Sequence, residues 1–202
     1  MTYKERAVAI LSLFLTDYTK EELFECADAA YSQTKFGAEP VPLRKVNEST
    51  DVLELWHGPT SAFKDMALSI LPHLMITSAK KNHLENEIVI LTATSGDTGK
   101  AALAGFADVE GTRIIVFYPK NGVSPIQEKQ MVTQKGANTF VVGIHGNFDD
   151  AQTGVKKLFA DKELAARMQE KGFQFSSANS INIGRLVPQV AYYAYAYAQL
   201  LA

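Results

Sequence analysis

The chain has 202 residues, of which 47% are apolar, 10% aromatic and 21% charged. This composition is typical of a globular protein and excludes the disordered, collagen-like and disulfide-rich classes. The 20 basic and 22 acidic residues nearly balance, so no general field favours nucleic acid or an anionic membrane. No apolar stretch reaches the roughly 18 residues that span a bilayer. The single cysteine and the lack of a secretory signal pattern favour a cytoplasmic protein, and no histidine pair has the spacing of a metal site.

The first 35 residues predict two helices. An apolar face begins in the first of them, and Thr19 stands as an N-cap before two glutamates in the second. Two extended runs then follow at 41–46 and 52–56, separated by a turn-like polar segment. A helical spacing of apolar residues covers 63–79, and Pro72 is expected to kink or divide that helix.

From residue 87 onward, strand-like and helical segments alternate. The strands are predicted at 88–92, 113–118, 139–142 and 173–176, and the helices at 98–108, 125–134, 149–168 and 182–201. Apolar β-branched strands that alternate with helices indicate a parallel sheet of βαβ units. The predicted fold class is therefore α/β, with a parallel twisted sheet and flanking helices after an N-terminal helical section. The expected division of the chain is 1–86 and 87–202.

The first candidate site is the turn between the strand at 88–92 and the helix after it. The turn reads Ser95, Gly96, Asp97, Thr98 and Gly99. Two glycines let the backbone approach a ligand, and a helix start presents free N–H groups and a positive dipole end, so a carboxylate or a phosphate would bind there. The spacing fits neither a Walker loop nor a Rossmann fingerprint. An ordinary glycine-containing turn is the alternative.

The second candidate is Lys64, which lies between Phe63 and Asp65 at the start of a predicted helix and follows the segment 57–60. A lysine at a helix N-terminus opposes the helix dipole. The dipole and desolvation both favour the neutral form of an amine, which suits a nucleophile or a base. The alternative is a solvated surface lysine.

The third candidate is the polar segment 176–182, which follows the last predicted strand. Asn179, Ser180 and Asn182 supply amide and hydroxyl groups, and Arg185 lies one turn into the next helix. Its guanidinium group could hold a phosphate or a carboxylate through two hydrogen bonds. A polar loop with a helix cap is the alternative.

Four segments occur in order at plausible intervals along the chain. They read LELWHGPTSAFKDMAL (53–68), ILTATSGDTGKAA (90–102), VFYPKNGVSPIQEKQM (116–131) and SSANSINIGRLVPQ (176–189). Taken together they resemble the threonine synthases, which are pyridoxal-phosphate enzymes of the tryptophan-synthase-β structural group, fold type II. The resemblance implies that 1–86 belongs to the main cofactor domain and that 87–202 is an inserted small domain.

The resemblance also implies roles for the candidate residues. Lys64 is expected to hold pyridoxal phosphate as a Schiff base, with Phe63 against the cofactor and Asp97 beside the phenolic oxygen of its ring. The turn 95–99 is expected to bind the α-carboxylate of the substrate. The residues expected to meet the substrate phosphate are Asn179, Ser180, Asn182 and Arg185. The implied reaction converts O-phospho-L-homoserine and water into L-threonine and phosphate.

Threonine synthases are longer than this chain, so the resemblance implies a fragment. An N-terminal segment and the C-terminal half, with the glycine-rich loop for the cofactor phosphate, are expected to be missing, which leaves the cofactor site incomplete. The four tyrosines of the final helix fit a truncation, and exposed apolar surface would favour self-association. Two alternatives stay open. One is another enzyme of the group, such as threonine dehydratase or cysteine synthase, and the other is a non-catalytic piece that only self-associates or binds anions weakly.

Overall fold

The computed structural model describes residues 1–180 and 182–201, which form ten helices and six strands. The helices are α1 (Tyr3–Leu11), α2 (Lys20–Ala30), α3 (Gln33–Phe36), α4 (Asp65–Leu68), α5 (Leu71–Lys81), α6 (Asp97–Phe106), α7 (Pro125–Val132), α8 (Phe148–Ala160), α9 (Lys162–Glu170) and α10 (Ile183–Leu200). The strands are β1 (Leu43–Asn47), β2 (Thr50–Leu53), β3 (Glu87–Ala93), β4 (Thr112–Pro119), β5 (Thr139–Ile144) and β6 (Phe173–Ser176).

The N-terminal section begins with two helices, as predicted, and the predicted cap at Thr19 is confirmed. In α2 the Thr19 side chain accepts a hydrogen bond from the Glu22 amide, and the Glu22 carboxylate accepts one from the Thr19 amide. This reciprocal pair satisfies two N–H groups that a helix start otherwise leaves free. The same arrangement starts α1. The two extended runs are also confirmed, because β1 and β2 form an antiparallel hairpin.

The predicted helix over 63–79 is divided between Leu68 and Leu71, just before Pro72. The first part is the single turn α4, and α5 begins at Leu71 with the proline in its first turn. Proline is accepted there because its missing N–H has no acceptor in the first turn of a helix.

The second half of the chain forms a four-stranded parallel sheet in the order β5-β4-β3-β6. The central strand β3 is buried along nearly its whole length. Its Ile88 and Ile90 lie in the apolar cluster that includes α6, while Val89 and Leu91 lie in the cluster that includes α8. Helices thus cover both faces of the sheet, which confirms the predicted α/β class and explains the continuous apolar pattern of the strand.

The single helix predicted at 149–168 is wrong in one respect, because Asp161 breaks it into α8 and α9. Asp161 ends α8 in an extended conformation, and its carboxylate accepts a hydrogen bond from the Leu164 amide as the N-cap of α9. Aspartate favours a cap over a helix interior because its short side chain bonds nearby backbone N–H groups.

The last helix, α10, packs against the first helix, α1. Val187, Ala191 and Tyr192 of α10 are buried in the same apolar cluster as Tyr3 and Ala7 of α1. Tyr192 is therefore buried within the described part of the chain. The prediction that all four tyrosines of this helix pack against a missing segment is wrong for Tyr192. The division of the chain at residues 86 and 87 stays a prediction. Within residues 1–180 and 182–201, no helix is long and apolar enough to cross a membrane.

His73 on α5 is expected to make the stability of the protein depend on pH. Burial, with a smaller contribution from the charge of Lys35, lowers the pKa of His73 to about 4, whereas a histidine of the unfolded chain has a pKa of about 6.5. As the pH falls below 6.5, the unfolded state takes up a proton that the folded state does not bind. The free energy of unfolding should therefore fall by about 2 kcal/mol between pH 7.5 and pH 5.

Urea unfolding at the two pH values checks this expectation. The variant His73→Leu should lose most of the difference, while His145→Leu, at an exposed position, should keep it. Equal pH dependence in the wild type and His73→Leu would contradict the assignment.

Candidate active site

The topology of the sheet opens a crevice beside β3. From β3 the chain proceeds through β4 to β5 toward one edge, and it then returns to place β6 on the other side of β3. The loops that follow β3 and β6 therefore leave in different directions. In open α/β sheets such a reversal of strand order creates a ligand-binding crevice at the carboxyl ends of the strands.

A cleft of about 500 Å³ lies at this place. Its lining consists of Lys64, Ala93, Thr94, Ser95, Thr98, Phe148, Gln152, Lys156, Asn179, Ser180 and Arg185. All three candidate segments of the sequence contribute to this lining. Three of its side chains are cationic, so the cleft favours an anionic ligand.

The Lys64 segment is shaped by the buried carboxylate of Asp65. This carboxylate accepts hydrogen bonds from the Thr60 amide at 2.8 Å and from the Thr60 hydroxyl at 2.6 Å. A Cβ atom at Gly58 would lie 2.5 Å from the Cβ of Asp65, so only glycine allows the turn to approach so closely. Burial raises the pKa of Asp65, and the bonds from Thr60 oppose that effect. The turn places Lys64 directly before α4.

The turn between β3 and α6 is held by Thr94, which the sequence analysis did not single out. Its hydroxyl oxygen accepts hydrogen bonds from the amides of Gly96 at 3.0 Å and Gly99 at 2.8 Å. Gly96 has φ +139°, a region open to glycine. No hydrogen bond joins the amides of Asp97 and Thr98 to any acceptor in the described ranges. These two N–H groups are the ones that a carboxylate could use.

Three side chains, one amide and two amines, lie close to the carboxylate of Asp97. Gln127 donates a hydrogen bond to Oδ1 at 2.8 Å, and Lys100 Nζ lies 3.1 Å from the same atom. Lys64 Nζ lies 3.8 Å from Oδ2. Burial by itself would raise the pKa of Asp97. Together, the hydrogen bonds from Gln127 and Lys100 and the charges of Lys100 and Lys64 outweigh that effect and lower the pKa of Asp97 overall. Asp97 is therefore an anion at neutral pH.

The loop between β6 and α10 places Arg185 at the cleft. The residue is 7% exposed, and its guanidinium group donates a hydrogen bond to the carbonyl of Ala178 at 2.9 Å. Burial lowers its pKa from the usual value, and its Nε has no partner among the described residues. The Asn182 side chain instead stabilises the loop. Its oxygen accepts a hydrogen bond from the Gly184 amide at the start of α10, and its NH₂ group donates one to the carbonyl of Ser177.

The cleft thus brings together some of the predicted residues and not others. Those that line it are Lys64, Ser95, Thr98, Asn179, Ser180 and Arg185, while Phe63, Gly96, Asp97, Gly99 and Asn182 lie outside the lining. The ring of Phe63 is 41% exposed, and Lys64 Nζ lies 4.6 Å from its centroid. The ligand-binding roles of all these residues stay predictions.

Three lining residues of α8 were missed by the sequence analysis. Phe148, Gln152 and Lys156 recur every four residues, so they share one face of the helix. Lys156 Nζ donates a hydrogen bond to Gln152 Oε1 at 3.0 Å. The spacing could have revealed the shared face, but only the packing of α8 on the sheet shows that this face meets the cleft. In the described ranges, no group of three or more His, Cys, Asp or Glu side chains could hold a metal ion.

The part of the chain that contains the cleft matches a known protein family. The family described as "Pyridoxal-phosphate dependent enzyme" matches residues 37–192, a span that contains every residue of the cleft lining. The chain belongs to this family. Pyridoxal phosphate is accordingly the cofactor that its family membership implies.

Individual relatives show which enzymes this chain is similar to in sequence. The chain is 37% identical over 209 residues to "Threonine synthase-like 1" of Homo sapiens, and 40% identical over 195 residues to the threonine synthase of Serratia marcescens. These alignments cover 100% and 96% of the chain, but only 28% and 42% of the two relatives. The resemblance to threonine synthases seen in the four sequence segments is confirmed, and the chain spans less than half of these relatives.

A solved structure of the family has the same fold. The PLP-bound threonine synthase of Brucella melitensis superposes with a TM-score of 0.87 at 36% identity, over 98% of this chain and 41% of the other. The fold-type-II interpretation of the parallel sheet is thereby confirmed.

Proposed function

We propose that this chain carries the lysine-bearing part of a threonine synthase site. Pyridoxal phosphate would be held at Lys64, and the whole protein would convert O-phospho-L-homoserine and water into L-threonine and phosphate. The observation that carries this proposal is one cleft shared by Lys64, the turn at 95–99 and the loop at 179–185. In this proposal, residues 1–86 belong to the main cofactor domain and residues 87–202 form an inserted small domain.

The residues present suit the aldehyde end of the cofactor. Lys64 offers a partly exposed primary amine, with an aromatic face at Phe63 and an anion at Asp97 beside it. When bound, the cofactor supplies an aldehyde that joins an amine and a ring that stabilises negative charge on the neighbouring carbon. Asp97, whose Oδ2 lies 3.8 Å from Lys64 Nζ, would border the ring oxygen of the cofactor.

The two anionic groups of the proposed substrate would bind at separate places in the cleft. The amides of Asp97 and Thr98 would bind the α-carboxylate at the start of α6. Arg185, with Asn179 and Ser180 beside it, would bind the phosphate group at the other wall. A substrate fixed at both ends presents its Cα to the lysine between them.

Lys64 is then the group that moves protons. With the substrate in place, Nζ of Lys64 would accept one proton from Cα and one from Cβ. After phosphate leaves Cγ and water adds at Cβ, it would return protons to Cγ and Cα. The Lys64 side chain is 20% exposed, which limits competition from bulk water. Water is the nucleophile that adds after the phosphate leaves.

A second candidate function is supported by the surface of α10. This helix exposes a set of apolar side chains, namely Leu186, Val190, Tyr193, Tyr197 and Leu200. A chain with such a face would self-associate, and as a non-catalytic piece it would bind anions only weakly.

Release of phosphate from O-phospho-L-homoserine tests the proposed function. The whole protein loaded with pyridoxal phosphate should release phosphate and form threonine in equal amounts. Formation of a 2-oxo acid from free threonine would support a dehydratase instead. Retained cofactor with neither product would support the non-catalytic alternative, and light scattering would then report the size of its assemblies.

A further inference from the structure

A second lysine, Lys100 on α6, lies next to the candidate site and is almost fully buried. Its side chain is 10% exposed, its Nζ lies 3.1 Å from Oδ1 of Asp97, and it donates a hydrogen bond to the carbonyl of Thr60 at 3.0 Å. Burying an ammonium group is costly unless it is paired and hydrogen-bonded. Lys100 meets that requirement by joining two segments of the site that are distant in sequence.

This arrangement limits how closely Asp97 can engage Lys64. Lys100 and Gln127 occupy Oδ1, and the other carboxylate oxygen is 3.8 Å from Lys64 Nζ. A distance of 3.8 Å is too long for a hydrogen bond. Lys64 is therefore near a carboxylate whose charge is already balanced by another cation.

We propose that Lys100 is a positioning residue that holds the Asp97 carboxylate and so keeps the Lys64 amine available for reaction. The inference rests on the proposed function, in which that amine binds the cofactor. Without Lys100, the carboxylate would pair with Lys64 alone and hold it as an ammonium ion. The loss of a neighbouring positive charge acts in the same direction, because like charges disfavour the charged form.

The other charged groups around Lys64 do not replace Lys100. Lys156 and Arg185 line the same cleft but form no ion pair with Asp97 in the described ranges. Asp65 directs its carboxylate to the Thr60 turn.

Labelling of the amine without cofactor tests the proposal directly. The chain is treated with a limiting amount of acetic anhydride across a pH series, and acetylation of Lys64 is quantified by peptide mass spectrometry. In Lys100→Met, the pH at half-maximal labelling of Lys64 should rise by about one unit. The double variant Asp97→Asn/Lys100→Met should reverse most of this rise, since it removes the carboxylate.

Two further variants separate positioning from a merely structural role. Lys100→Arg keeps the charge and the donors, so it should label like the wild type. Lys157→Met removes an exposed lysine of α8 that does not line the cleft, and it should leave the profile unchanged. If Lys100→Met fails to fold by circular dichroism, Lys100→Gln is used, because it retains a donor for the Thr60 carbonyl.

The outcomes are distinct. A lower melting temperature of Lys100→Met with an unchanged labelling profile would overturn the proposal. Lys100 would then only stabilise the fold through its contacts with Thr60 and Asp97. Failure of the wild type to retain pyridoxal phosphate at Lys64 would overturn the proposed function instead, and the labelling shift would still report on Lys100.

Discussion

Replacing Lys64 with alanine is expected to abolish covalent retention of pyridoxal phosphate. The wild-type chain, incubated with the cofactor and dialysed, should keep the absorbance band of the attached aldehyde, and Lys64→Ala should lose it. Any threonine synthase activity should fall by about 10²- to 10⁴-fold, the usual contribution of a positioned acid–base group. The physical reason is that Lys64 provides an amine in the cleft that it shares with the two loops proposed to bind the substrate's anionic groups.

A second lysine of the cleft supplies the control. Lys156→Ala removes an amine that lines the same cavity, and this variant should retain the band. If both variants keep the band equally, Lys64 is not the attachment point. If both lose it, the aldehyde reacts with cleft amines without discrimination.

Replacing Gly105 with alanine is expected to cost about 3 kcal/mol of unfolding free energy. A Cβ atom at this position in α6 would lie 2.1 Å from the carbonyl oxygen of Leu68, which ends α4. The obstacle is backbone, so it cannot rotate away as a side chain could. Because α4 begins directly after Lys64, the displacement should also weaken retention of the cofactor.

Urea unfolding measures this effect, and Gly154→Ala is the matched control. Gly154 also lies within a helix, α8, but a Cβ atom there would have no neighbour within 4 Å. Alanine should therefore stabilise the protein by up to ~1 kcal/mol through its higher helix propensity. A loss in Gly154→Ala equal to that in Gly105→Ala would show that the contact with α4 is not the cause.

Much of the sheet region could be predicted because its central strand, β3, is buried on both faces. The run at 88–92 is apolar and β-branched, and it lies between segments with helical spacing, which leaves few other interpretations. The break at Asp161 was missed because the helical periodicity of α8 continues into α9. Nothing in that periodicity distinguishes a capping aspartate from an exposed one.

The candidate site was predictable to the extent that it lies in loops after parallel strands. The loops at 95–99 and 176–182 follow β3 and β6, so topology brings them to one edge of the sheet. Lys100 and Lys156 could not be found in this way. The burial of Lys100 depends on the carbonyl of Thr60, forty positions earlier, and no local pattern encodes that contact.

The packing of α10 on α1 has a consequence for synthesis on the ribosome. Helices α1 and α2 emerge before α10, but their apolar cluster is completed by Val187, Ala191 and Tyr192 of α10. At about 5–20 residues per second, roughly ten to thirty seconds pass before those side chains are made. During that interval the nascent N-terminal helices expose an unfinished apolar surface, so this section is where chaperones should bind.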